Sequence, residues 1–263
     1  SSDLCFKAKT MNIPTIPLQG HGLTLQEKIS LQSSLTVLQK NNKFWYVKYW
    51  GKIIGESNSY HVAQGWSKGL LQDHKTFYSL DNCKSWVLLV TFDDKEVQYL
   101  QQITDMITGN PTFAFDVGEM SFLEEKLIAY RISCIDNDTN IVPRGSIIKN
   151  SQGEAVFNSS FKGLKDARGK ANQYYHLRKA TVSKNRTLLQ KSIDDATLDF
   201  LDNIQEDIPN GCWKMQYDTL TDTFTCASLL WPGYTYCSAE EGSEFTSVYF
   251  GNGEFNRDLA FML

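Results

Sequence analysis

The chain of 263 residues is 41% hydrophobic and 13% aromatic, which is enough apolar material for one sizeable core. Charged residues make up 21% and the net charge at pH 7 is -4, so these totals exclude a disordered polyelectrolyte and give no general affinity for polyanions. No apolar run approaches the roughly 20 residues of a membrane-spanning helix, and the N-terminus has no apolar signal-peptide region. We expect a soluble, cytosolic protein with one main domain.

The first predicted helix follows an irregular arm. Residues 1–23 contain prolines and glycines that break any period, so they are predicted to form an extended arm ahead of a single α+β domain over residues 24–263. Thr24 and Glu27 have capping-box spacing, which predicts a helix from Thr24 to about Lys40. Apolar residues at i, i+4 and i+7 form a stripe that we expect to contact the core or a partner protein. The stripe consists of Leu31, Leu35 and Leu38.

Aromatic and β-branched residues then predict a series of strands. Residues 44–50 fit a pleated surface, and short strands punctuated by glycines follow as far as residue 92. A helix is predicted over residues 93–107. Residues 126–135 alternate in polarity and are predicted to form a strand. Its core face would contain Ile128, Tyr130, Ile132 and Cys134.

The second half of the chain continues this pattern. Further strands are predicted over residues 141–149 and 155–161, and Ser192 or Asp194 can cap a helix that runs to about Glu206. The last fifty residues are typical of an antiparallel sheet, and Asn252-Gly253 is a tight-turn dipeptide. The strands cluster without strict βαβ alternation. The sequence therefore predicts an α+β fold, mostly antiparallel β-sheet with a few amphipathic helices.

The sequence contains no motif of a catalytic or cofactor-binding site. It has no phosphate-binding glycine loop, no nucleophile elbow and no zinc-ligand spacing among its four histidines. Its six cysteines form no C-x-x-C pair, which is typical of small buried side chains in a reducing compartment. Adjacent acids such as Glu124 and Glu125 diverge on a helix or strand, so we interpret them as solvated surface or as charge at a helix N-terminus. The sequence predicts no catalytic residue, no metal ligand and no cofactor.

A basic segment is the strongest charge feature. Residues 162–191 contain nine basic residues and a single acid, and the segment that follows is acidic. The two segments could neutralise each other, or the basic one could form a charge-complementary face for partner proteins. RNA binding is a third interpretation, although no base-stacking signature accompanies the basic residues. The candidate contacts are Lys162, Lys165, Arg168 and Lys170.

The C-terminal region is rich in aromatic residues. Core packing explains most of them, but the centres of protein interfaces are also enriched in aromatic side chains. We therefore treat Trp231, Tyr234 and Phe261 as candidate partner contacts. The apolar tail, residues 258–263, is predicted to lie against this protein or a neighbour.

Several segments, in the same order along the chain, resemble the radial spoke head protein 9 family. The ordered series is far more specific than any one segment. The similar segments are residues 49–55 (YWGKIIG), 60–65 (YHVAQG), 75–80 (KTFYSL), 141–145 (IVPRG), 199–202 (DFLD), 207–209 (DIP), 229–233 (LLWPG), 248–251 (VYFG), 253–254 (GE) and 258–263 (DLAFML). The chain departs from the family in its N-terminal arm and near residues 91–102 and 238–244.

The resemblance implies a place in a cell structure and no reaction. It implies a non-catalytic subunit of the radial spoke head in the cytoskeleton of motile cilia, in a hetero-oligomeric complex with spoke-head proteins 4, 6 and 1. It also implies transient contact with the central pair, relayed to the dynein arms, and no nucleic-acid or membrane partner. Two alternatives stay open at this point: a soluble enzyme with a dispersed active site, and an RNA-binding module that uses residues 162–191.

Overall fold

The computed structural model describes residues 22–72, 74–164, 169–181, 199–239 and 242–262. Its helices and strands are, in chain order, α1 (Leu25–Asn42), β1 (Tyr46–Ile54), β2 (Ser59–Trp66), β3 (His74–Ser79), β4 (Val87–Leu88), α2 (Asp94–Leu100), β5 (Ala114–Val117), β6 (Met120–Leu123), α3 (Glu124–Thr139), β7 (Ile141–Pro143), β8 (Ile147–Lys149), β9 (Ala155–Phe157), β10 (Tyr174–His176), β11 (Trp213–Asp218), β12 (Thr223–Ser228), β13 (Tyr234–Ala239), β14 (Glu244–Gly251) and α4 (Leu259–Met262).

One large sheet organises the fold. Its eight strands follow the order β11-β12-β13-β14-β1-β2-β3-β4, and three two-stranded sheets pair β5 with β6, β7 with β10 and β8 with β9. All the pairings are antiparallel except that of β1 with β14, which is parallel. The predicted α+β class with a mostly antiparallel sheet is therefore confirmed.

The two faces of the large sheet bury different clusters of side chains. On one face α1 packs against Val47 and Tyr49 of β1, together with residues of β2, β3 and β14. On the other face α3 packs against Trp50 and Ile53 of the same strand. A bulge in β1 between Tyr49 and Gly51 shifts the alternation, so Tyr49 faces α1 whereas Ile53, four residues later, faces α3. The sheet is thus covered by a helix on each side.

Helix α1 forms as its sequence predicts. The side chain of Thr24 accepts a hydrogen bond from the Glu27 amide at 3.2 Å, and the Glu27 carboxylate accepts one from the Thr24 amide at 2.7 Å. This capping box satisfies two amides that the first helical turn leaves unpaired. The three leucines of the predicted stripe are buried on the sheet, and full burial of such a side chain contributes about 1.5–3 kcal/mol.

The prediction of a strand over residues 126–135 is wrong, because this segment lies inside α3. An apolar run that is buried on a wide face satisfies a period of two and a period of 3.6 equally well over ten residues. In the helix, the fully buried side chains include Leu127 and Ile135, which the strand pattern placed on the face away from the core. Tyr130 and Cys134, predicted to lie in the core, are only half-buried.

Several predicted boundaries also change. The helix that begins at Asp94 ends at Leu100, and Ile103 and Ile107 are buried in irregular chain instead. The predicted strand over residues 141–149 is two strands, β7 and β8, and the one over 155–161 ends at Phe157. Of the helix predicted to end near Glu206, residues 192–198 lie outside the described residues, and the described part contains only a 3-10 turn over Ile204–Glu206. Among the described residues, no helix has the length and apolar character needed to cross a bilayer.

Candidate partner-binding surfaces

Buried polar side chains fasten the helices to the sheet. Glu27 of α1 lies 3.1 Å from the His61 Nε2 atom on β2 and accepts a hydrogen bond from Lys52 Nζ on β1 at 3.1 Å. The other ring nitrogen of His61 lies 2.9 Å from the Tyr49 hydroxyl. Burial lowers the pKa of His61. Burial alone would raise the pKa of Glu27, but its hydrogen bonds from the Thr24 amide and from Lys52 outweigh this and lower it.

A second carboxylate ties α3 to the sheet. Glu124 is fully buried and accepts hydrogen bonds from the Tyr60 hydroxyl at 2.7 Å, the Thr108 amide at 2.6 Å, the Thr108 hydroxyl at 2.8 Å and the Gly109 amide at 2.9 Å. Glu124 is therefore not solvated surface, but it does lie in the first turn of a helix, as the second interpretation had it. A carboxylate at a helix N-terminus can be buried when several donors surround it, and sequence does not show those donors.

The ionisable and thiol groups of the interior are held in structural roles. Burial raises the pKa of Cys83 to about 12 and that of Cys212 to about 11, so these thiols stay protonated and unreactive. Asp136 of α3 accepts hydrogen bonds from Trp50 Nε1 at 2.6 Å and from Gln64 Nε2 at 2.5 Å. The residues that the structure describes contain no group of three or more His, Cys, Asp or Glu side chains placed to hold a metal ion.

The leucine stripe of α1 is directed inward. Leu31, Leu35 and Leu38 are 0%, 3% and 6% exposed, so they contact this chain's own sheet and have little surface to offer a partner. The outward side of the helix is also partly apolar, and sequence analysis did not single it out. Its exposed apolar side chains are Leu25, Ile29 and Val37.

A groove runs beside the outward side of α1. It has a volume of about 440 Å³ and separates the helix from the segment that connects β3 to β4. The indole of Trp86 in that segment donates a hydrogen bond to the Ser34 hydroxyl at 3.0 Å. The lining residues are Ser30, Ser33, Ser34, Val37, Leu38 and Asn41 of α1, with Lys84, Ser85 and Trp86.

The predicted basic face is only partly within the described residues. Lys162 and Lys170 are exposed, whereas Lys165 and Arg168 lie outside the described residues. Further along, Arg178 forms an ion pair with Asp202 at 3.1 Å. This contact supports the interpretation that the basic and acidic segments neutralise each other at least in part.

The aromatic candidates near the C-terminus divide into buried and exposed residues. Trp231 and Tyr234 are each 5% exposed, and their polar atoms bond within the chain. The Trp231 indole donates to Asp138 at 2.9 Å, and the Tyr234 hydroxyl accepts from the Ile141 amide at 3.1 Å. Phe261 in α4 is 90% exposed and remains a candidate contact.

The comparisons with known proteins identify the family. The chain is 35% identical to radial spoke head protein 9 homolog of Mus musculus, over 93% of this chain and 94% of that protein. The corresponding proteins of Homo sapiens and Xenopus tropicalis are 34% and 31% identical, over 93% and 97% of this chain and 94% and 98% of their own length. The chain belongs to the radial spoke head protein 9 family. No protein-family model matches it.

Four of the ten segments that resemble the radial spoke head protein 9 family lie in the large sheet. Residues 49–55, 60–65 and 75–80 fall largely in β1, β2 and β3, and residues 248–251 are the end of β14. These strands occupy neighbouring positions in the sheet order. What the chain has in common with the family in these segments is therefore the centre of the scaffold.

Proposed function

We propose that the chain is a non-catalytic structural subunit of the radial spoke head in the axoneme of motile cilia. The observation that carries this proposal is identity of 31–35% to proteins named radial spoke head protein 9 homolog, over more than nine-tenths of the chain. The perturbed pKa values of Glu27 and His61 support it, because these two residues fasten α1 to the sheet and so have a structural role.

In this proposal the subunit assembles with other spoke-head proteins, of which types 4, 6 and 1 are the expected partners. It helps to relay contact with the central pair to the dynein arms. A relay of mechanical contact requires a stiff body, since a close-packed interior transmits strain and a loose one absorbs it. A large sheet held on both faces by helices and by buried carboxylates, Glu27 and Glu124, has this property.

Three exposed regions are the proposed partner surfaces. They are the outward side of α1 with its groove, the basic face that includes Lys162 and Lys170, and α4 with the exposed Phe261. Interface centres are enriched in aromatic and other large apolar side chains, and their rims are polar. The three regions together offer both kinds of surface.

Fractionation of motile cilia from cells that express the tagged chain tests the proposal. We expect the chain to stay with axonemes through detergent and moderate salt, and its loss to remove spoke heads and alter the beat. A tagged cytosolic protein of similar size is the control for trapping. Recovery of the chain in the detergent-soluble fraction, with intact spokes and normal beating after its removal, would contradict the proposal.

A further inference from the structure

The groove beside α1 is lined by small and apolar side chains. Three serines of α1 line it, and such small side chains allow another backbone to approach closely. Val37 on one wall is 54% exposed, and Trp86 forms the opposite wall. On the same face of the sheet, Leu88 of β4 is 51% exposed and pairs with Phe77 of the cluster under α1. Because β4 has only two residues, it offers too short an edge for a partner strand.

The wall opposite α1 is held in shape by the chain itself. The Asp81 carboxylate accepts hydrogen bonds from the Ser79 hydroxyl at 2.7 Å, the Lys84 amide at 3.0 Å, and the Ser85 amide and hydroxyl at 3.0 Å and 2.6 Å. Burial would raise the pKa of Asp81, but these donors outweigh it and lower the pKa well below its usual range. A preformed wall reduces the entropy lost when a partner binds.

The groove is basic at its rims. Lys84 is the one charged residue that lines it. Lys40 follows Val37 by three residues and so lies beside it on the helix, and Lys43 caps the same end. The single acid of α1, Glu27, is 4% exposed and paired with Lys52, so it does not offset these charges. The Asp81 carboxylate on the opposite wall offsets one of them, and the three lysines leave the rims with a net positive charge.

The geometry points to an acidic amphipathic helix of a neighbouring spoke-head subunit as the occupant of this groove, an inference that rests on the proposed function. The apolar face of such a helix would lie on Val37, Trp86 and the serines. Its carboxylates would face Lys40 and Lys84 on the two rims, and this complementary charge would set its orientation and speed its encounter.

A binding assay with two matched peptides tests the inference. The probes are fluorescent 18-residue helical peptides with leucines at i, i+3, i+4 and i+7, one carrying glutamates on its polar face and the other lysines. We expect the full chain to bind the acidic peptide at least tenfold more tightly than the basic one. Lys40→Glu together with Lys84→Glu should weaken acidic-peptide binding about tenfold or more, since attraction at both rims becomes repulsion.

Two further variants separate the groove from the rest of α1. Ser33→Trp should fill the groove and abolish binding of the acidic peptide, and circular dichroism will show that the exposed position tolerates the change. Lys28→Glu makes the same charge change nine residues before Val37, which is two and a half turns away and therefore on the opposite side of the helix. It should leave binding unchanged.

Several results would overturn the inference. These are equal binding of the two peptides, no binding of the acidic one, an unaltered affinity in Ser33→Trp, or an equal loss in Lys28→Glu. Concentration-dependent self-association that Ser33→Trp removes would assign the groove to a second copy of this chain. The two proposals can also be separated in cilia that lack the endogenous protein. Normal incorporation of Ser33→Trp into spokes would contradict the inference about the groove and leave the proposed function intact. Failure of the wild-type chain to enter spokes would contradict the proposed function.

Discussion

Single buried carboxylates connect layers of this fold that are distant in sequence. Glu124, at the start of α3, bonds to Tyr60 on β2 and to Thr108 and Gly109 in the chain between α2 and β5. Each donor would lose its partner if the carboxylate were removed, and an unsatisfied buried donor costs more than a lost hydrogen bond is worth. The residue therefore contributes to stability through three segments at once.

Glu124→Ala is expected to lower the free energy of unfolding by about 3–5 kcal/mol, because four hydrogen bonds to a buried carboxylate lose their acceptor. Denaturant unfolding followed by tryptophan fluorescence measures the change. The matched control is Glu125→Ala, at the neighbouring half-buried position, where we expect a loss below about 1 kcal/mol. Equal losses in the two variants would show that the network around Glu124 is not the source of the stability.

Acid is expected to loosen the contact between α1 and the sheet. Burial lowers the pKa of His61 below its ordinary 6.5, so the unfolded chain binds the proton more readily and stability falls as the pH drops from 6.5 toward the folded value. The pKa of Glu27 is below its ordinary 4.5, so its contribution is present above pH 4.5 and is lost as the pH falls through the folded value. As the pH falls, the loss of stability due to His61 therefore begins before the loss due to Glu27.

Comparison of His61→Gln with the wild type at pH 7 and pH 5 tests this order. The variant cannot titrate, so its free energy of unfolding should fall less between the two pH values, although it should be less stable at pH 7 because contacts with Tyr49 and Glu27 are lost. Guanidinium midpoints at each pH measure both effects. Equal falls in the two proteins would assign the acid sensitivity to other groups.

At the scale of elements, local signals decided which predictions were correct. Helix α1 could be predicted because its capping box and leucine stripe lie within eighteen residues. Helix α3 could not be distinguished from a strand, because it has no capping side chain at Leu123 and its buried face is wide. The apolar residues Ile103 and Ile107 extended the period of α2, yet they are buried without a helix. In such segments tertiary packing determines the secondary structure, and a local sequence pattern carries no information about that packing.

Local sequence patterns predict the candidate surfaces even less well than they predict the helices and strands. The sequence identified α1 as an interaction element but selected its inward residues, since apolar periodicity finds the buried face first. The groove depends on a contact between Trp86 and Ser34, which are 52 positions apart in the sequence. Likewise, the charge of the basic segment is reduced by Asp202, and no spacing rule links Arg178 to that residue. Surfaces formed by distant segments therefore require the structure.

At the scale of the whole molecule, one short pairing joins the two halves of the large sheet. Strands β1 to β4 come from the first third of the chain and β11 to β14 from the last fifth, and they meet only where β1 pairs with β14. This parallel pairing contains the register pairs Gly51↔Tyr249, Lys52↔Phe250 and Ile53↔Gly251. If the sheet acts as one stiff body, as the proposed relay requires, this junction must carry the load between its halves.

Gly51→Ala tests the junction directly. Gly51 has φ +151°, and an added Cβ would overlap the Tyr249 carbonyl oxygen, so the strands must separate or the backbone must shift. We expect a loss of about 3 kcal/mol or more in the free energy of unfolding. Gly22→Ala is the control, because nothing lies within 4 Å of its added Cβ, and it should change stability by less than about 0.5 kcal/mol.

Hydrogen exchange then shows whether the halves depend on each other. In a single cooperative sheet, Gly51→Ala should reduce amide protection in β2 and in β13 alike, although neither strand contains the substituted residue. The reason is that each half loses its neighbour's packing when the parallel pairing opens. Loss of protection confined to β1 and β14 would mean that the halves are independent units. A stiff relay through the sheet would then be excluded, whatever partners the surfaces bind.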